Sequence, residues 1–62
     1  FRSYTMKITT EQKLAIKRIY DREPLGMSYL QFRRTVQHGY DCLMVEWHGM
    51  WLGIEKDGYT HS

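Results

Sequence analysis

One cysteine and three histidines are the residues of this chain best equipped for chemistry: Cys42, with His38, His48 and His61. A thiol can act as a nucleophile when a base lies within hydrogen-bond reach and an oxyanion site completes the arrangement. Cys42 has His38 before it and His48 after it, but no nucleophile signature surrounds it. A chain of 62 residues also leaves little room for a pocket. Cys42 therefore reads as a small strand residue, and the chain as non-enzymatic. The same four residues have metal-ligand chemistry. Their spacing matches none of the usual zinc patterns, which pair ligands a few residues apart. Exposed histidines are the expectation, with no metal and no cofactor. Glu46 has no second carboxylate beside it in the expected strand register, so paired-carboxylate catalysis has no support.

Charge carries more information than these residues do. Net charge is +2, but residues 1–40 hold eight Lys/Arg against three acids, and residues 41–62 hold Lys56 against four acids. The first part is net +5 and the second net −3. A basic half beside an acidic half points to an anionic partner for the first. Arg33, Arg34, Lys17 and Arg18, with Tyr29 and Gln31 near them, have the side chains that meet phosphates and base edges. Solvation of amphipathic helices is the competing explanation for the same charges. A second class of function rests on Trp51, Met44 and Tyr59. Left partly exposed on a sheet, they would suit a protein interface or a homodimer built on a sheet edge.

These residues must be positioned by a small scaffold. One domain over residues 1–62 is expected, burying roughly 60% of its unfolded surface around a thin core. A single cysteine allows no disulfide within the chain. No apolar run approaches the roughly 20 residues of a membrane span, and no signal peptide is recognised, so a cytoplasmic protein without membrane contact is expected.

Residues 42–61 hold both tryptophans and read as an antiparallel meander. His48-Gly49 and Asp57-Gly58 are its turns, Asp-Gly being the stronger type I′ signal. With two-residue loops, Trp47 faces Met50, Val45 faces Leu52 and Leu43 faces Ile54, which gathers six apolar residues on one face. In the second hairpin Tyr59 would pair with Lys56, Thr60 with Glu55 and His61 with Ile54. Two helices would cover the apolar face. The first is expected from Thr9 or Thr10 to about Arg22. It opens with a Thr9-x-x-Gln12 capping box, carries a stripe of Leu14, Ala15, Ile16, Ile19 and Tyr20, and stops before Pro24. Leu25 and Met27 in the connector should tuck inward. The second helix opens at Ser28 with Gln31 as its box partner. Tyr29, Phe32 and Val36 lie on its inner stripe, His38 in its last turn, and Gly39 at its C′ position.

The alternation in residues 1–8 suits an additional edge strand. Met6 reads equally well as a start, in which case residues 1–5 are a disordered or non-native extension. The fold class is therefore α+β: two short helices on one face of a small antiparallel sheet. The sheet has three meander strands, with a fourth N-terminal strand as the alternative. Helices joined by a short Gly-containing turn and followed by a hairpin resemble a reduced winged helix-turn-helix, although the third helix is absent.

The runs YLQFRRTVQ and WHGMWLGIEKDGYTHS resemble small uncharacterised proteins encoded in bacteriophage genomes. The resemblance covers residues 28–62 and implies a viral origin and a host-cytoplasmic location. It implies no residue role. The function expected is a non-enzymatic binding protein that contacts nucleic acid through its basic helices. The alternative is a protein–protein module or homodimer using Trp51, Met44, Tyr59 and a sheet edge.

Overall fold

The computed structural model of the chain describes residues 7–22 and 25–62. Helix α1 spans Thr10–Arg22 and helix α2 spans Tyr29–Arg34. Four strands follow: β1 (Gln37–His38), β2 (Leu43–Trp47), β3 (Met50–Ile54) and β4 (Thr60–His61). They form one antiparallel sheet in the order β1-β2-β3-β4. This is the expected α+β class.

The capping box at α1 forms as the sequence implies. Thr9 Oγ1 accepts from Gln12 N (3.1 Å), and Gln12 Oε1 accepts from Thr9 N (3.0 Å). Ser28 and Gln31 repeat the arrangement at α2, each bond 3.2 Å long. Together these bonds satisfy backbone donors that the first turn of a helix leaves without a partner.

The second helix ends earlier than expected. The Thr35 hydroxyl donates to Phe32 O at 2.7 Å, and Val36 N donates to Arg33 O in a tightened closing turn. A Thr hydroxyl competing for helix carbonyls, followed by a second β-branched residue, favours leaving the helix. The chain then extends, and Gln37 and His38 pair with Met44 and Leu43. His38 therefore lies in a strand, not in a last helical turn. Gly39 is not a helix cap. Its amide donates to Cys42 O at 2.8 Å, and a Cβ there would sit 2.9 Å from that oxygen. The fourth strand of the sheet is thus this two-residue β1. The N-terminal strand expected over residues 1–8 falls mostly outside the described residues, and Lys7 and Ile8 are not in a strand.

The central hairpin has the expected register at every pair: Leu43↔Ile54, Met44↔Gly53, Val45↔Leu52, Glu46↔Trp51 and Trp47↔Met50. Its turn has positive φ at both His48 (51°) and Gly49 (82°), as a type I′ turn demands. The second hairpin corrects the expectation by one residue. Gly58 N donates to Glu55 O, Glu55 N donates to Tyr59 O, and only Gly58 takes a positive φ (91°). This is a three-residue loop with a Gly bulge, not a two-residue loop centred on Asp57-Gly58. Ile54 consequently pairs with Thr60, and Gly53 with His61. Since successive residues face opposite sides of a sheet, the shift carries the His61 side chain to the outer face.

The core is a single cluster of Ala15, Ile16 and Ile19 from α1, Phe32 from α2, and Leu43, Val45, Leu52 and Ile54 from the sheet. Leu14 of the predicted stripe is exposed instead, on the far side of α1 from Ile16 and Ile19. The hairpin tip outruns the helical layer. Trp47 is half-buried with Arg22 stacked 5.6 Å from its ring, and Met50 is exposed. Leu25 packs on the core as expected, whereas Met27 stays at the surface.

Gln12 is the one polar side chain buried in this core, fully removed from solvent among the described residues. Its Nε2 donates to Ile54 O at 3.1 Å, which docks the start of α1 onto the end of β3. Thr9 Oγ1 donates to Lys56 O at 2.7 Å and adds a second tie to the same hairpin.

Candidate functional site

Where the helices meet, aromatic rings set the spacing. Tyr20 of α1 meets Tyr29 of α2 edge-on, centroids 5.3 Å apart, and lies 5.7 Å from Phe32. Its hydroxyl donates to Met27 O at 2.8 Å and holds down the connector. The Lys17 ammonium stands 5.7 Å from the Tyr29 ring centroid and bonds both oxygens of Asp21, at 2.9 and 2.8 Å. The hydrogen bond that Lys17 donates to Asp21, together with that carboxylate's charge and the nearby Tyr29 and Tyr20, raises the Lys17 pKa above its ordinary 10.5. Lys17 is thus fully charged at neutral pH. Arg33 follows Tyr29 by one helical turn on the same flank of α2, and residues so spaced are surface neighbours. Arg33 is half-buried and Arg34 exposed.

The six residues expected to contact nucleic acid are only partly brought together. Lys17, Tyr29 and Arg33 share one surface, and Arg34 adjoins it on α2. Arg18 belongs elsewhere: with Ala15, Ile19, Asp21, Arg22 and Thr60 it lines a shallow groove of about 510 Å³ between α1 and β4. Gln31 uses its side-chain oxygen in the α2 capping box.

The outer face of the sheet has no helix over it among the described residues. Trp51 is 48% exposed and Tyr59 65% exposed, while Met44 is half-buried. Tyr59 lies nearly parallel to His61, centroids 5.9 Å apart. Trp51 occupies the hairpin-tip end of this face. At the other end Cys42, Glu55 and His61 converge, their donor atoms all within 4.8 Å of one another. His61 Nε2 lies 2.8 Å from Glu55 Oε2, and Cys42 Sγ lies 3.8 Å from Met44 Sδ.

Sequence reasoning considered Cys42 and His61 but missed the cluster. The two-residue loop assumed for Asp57-Gly58 points His61 toward the core. Glu55 entered no candidate set, although the hairpin register carried past Leu43↔Ile54 sets it opposite Cys42.

No family model matches the chain, and neither the curated proteins nor the solved structures contain a match.

Proposed function

We propose that this chain is a small non-enzymatic binding protein that contacts nucleic acid through the outer surface of its helical layer. The observation that carries the reading is the separation of charge between the two layers. The helices carry Lys13, Lys17, Arg18, Arg22, Arg33 and Arg34 against Glu11 and Asp21, while the strands and the turns between them carry Asp41, Glu46, Glu55 and Asp57 against Lys56. A molecule polarised in this way presents one face to a polyanion and holds the other away from it. The contact set is Lys17, Arg33 and Arg34 around Tyr29. Arg18 and Gln31 are not in this set, because one lines the α1–β4 groove and the other carries a helix cap. Six residues of α2 span only about 9 Å, too short for a long track of base contacts, so phosphate contacts dominate. A viral origin and a host-cytoplasmic location are part of the same proposal and rest on the sequence resemblance alone.

Binding to a labelled random-sequence duplex tests this reading. Affinity should fall steeply between roughly 50 and 200 mM salt. Arg33→Ala with Arg34→Ala should weaken binding and lower the slope of log K against log salt by about two. Arg18→Ala should matter less. Binding that ignores salt, or that survives the double substitution unchanged, refutes the helical interface.

A second reading is favoured by the uncovered Trp51. The occupant we infer is another copy of the chain, whose basic helices complement Glu46, the cross-strand neighbour of Trp51. The edge strands are two residues long, which disfavours a dimer made by extending the sheet. In sedimentation, Trp51→Ala would abolish concentration-dependent self-association. A wild-type chain that remains monomeric removes this reading.

A further inference from the structure

We propose that Cys42, Glu55 and His61 form a zinc site that ties three strands together at the outer face of the sheet. Cys42 stands just before β2, Glu55 just after β3, and His61 is the last residue of β4. Only the antiparallel register brings them together, and their donor atoms lie within 4.8 Å of one another.

Thiolate, imidazole and carboxylate are the three donor types that zinc takes from proteins, at about 2.0–2.3 Å. Tetrahedral ligands at those distances stand roughly 3.3–3.7 Å apart. Binding would therefore part His61 Nε2 from Glu55 Oε2, now 2.8 Å apart, and draw Cys42 Sγ slightly inward. The thiol proton is released to solvent on binding, and three protein ligands leave the fourth position to water.

An independent feature of the backbone supports the site. Gly53 lies beneath the cluster, paired with Met44 on one side and His61 on the other. Its φ is not positive, so the turn-type requirement for glycine is absent. A Cβ at Gly53 would lie 2.8 Å from His61 Cε1, 2.9 Å from His61 Nε2 and 3.4 Å from Cys42 Sγ. The missing side chain is what allows the imidazole and the thiol to face each other across the strand. Met44 Sδ, 3.8 Å from Cys42 Sγ, places a second soft donor beside the site. Two sulfurs and an imidazole would suit Cu(I), whereas the carboxylate favours zinc.

The role is that of a staple. A domain of 62 residues has a thin core, and a metal that binds only the folded state adds its binding free energy to stability. It would also fasten β4, which has only two residues to hold it.

The test is titration of the reduced, tag-free protein with Co(II), a spectroscopic stand-in for zinc. One equivalent should give a thiolate-to-cobalt charge-transfer band and tetrahedral visible bands, and zinc should displace both. Zinc at 100-fold over its Kd should raise Tm by roughly 10 °C or more. Cys42→Ser should abolish the charge-transfer band. His61→Ala and Glu55→Gln, both with partly exposed side chains and checked for folding by circular dichroism, should each weaken zinc by about tenfold or more. Gly53→Ala removes no ligand and should weaken zinc too. The proposal fails if no charge-transfer band appears. It also fails if His61→Ala and Glu55→Gln bind as the parent does, or if Cu(I) binds stoichiometrically while zinc does not.

Discussion

Gln12 joins local and long-range structure through one side-chain amide. Its oxygen caps α1 and its nitrogen holds the Ile54 carbonyl, 42 positions away in sequence. Replacing Gln12 with Ala leaves that carbonyl buried without its donor and opens a gap beneath α1. An unsatisfied buried polar group costs about 1–3 kcal/mol. Gln12→Ala should therefore lower the denaturation midpoint by that amount with an unchanged m-value. A loss below about 0.5 kcal/mol would mean that water replaces the amide. The capping half of this role was legible in the Thr9-x-x-Gln12 spacing, because a cap is a local pattern. The docking half was not, because nothing local shows which carbonyl a buried amide will meet. Cys42, Glu55 and His61 teach the same lesson in a sharper form. Each was visible as a residue, but their meeting depends on a loop length that sequence reasoning set one residue short.

The two hairpins show how turn chemistry decides the faces of a small sheet. The central register was legible because only one pairing puts Leu43, Val45, Leu52 and Ile54 on a common buried face. The second hairpin offered no such check. Its last strand is short and mixed, so the Asp-Gly pair alone set the expectation, and the bulge at Gly58 overruled it. The glycines of the two turns carry different loads. Gly49 (φ 82°) has open space where a Cβ would go, whereas a Cβ at Gly58 (φ 91°) would lie 3.0 Å from Glu11 O. Gly49→Ala should cost about 1–2 kcal/mol for the left-handed backbone alone. Gly58→Ala should cost that and about 1–3 kcal/mol more, because α1 must give way. Equal losses in chemical denaturation would show that α1 does not bear on this turn. The end of α2 was misread for a related reason. Capping, hydrophobic spacing and Gly39 favour a helix through His38, but Thr35 turns the chain out and frees Gln37 and His38 for β1.

At the scale of the whole molecule, two layers of opposite charge share one small core. That separation was legible in the sequence, since helices occupy the basic half and strands the acidic half. The composition of the basic surface was not legible, because the rotation of each helix about its axis decides it. Core packing of Ala15, Ile16 and Ile19 turns Lys17 toward Tyr29 and Arg18 toward Thr60. The central claim is that nucleic acid meets the helical layer while the sheet faces away. The most direct test is an NMR titration of isotope-labelled protein with a short random-sequence duplex, at low salt and without added metal. The account predicts amide shift changes concentrated at Lys17, Tyr29, Arg33 and Arg34, with Trp51, Tyr59 and His61 unmoved. Changes concentrated at Trp51 and Tyr59, or no changes at all, would contradict it.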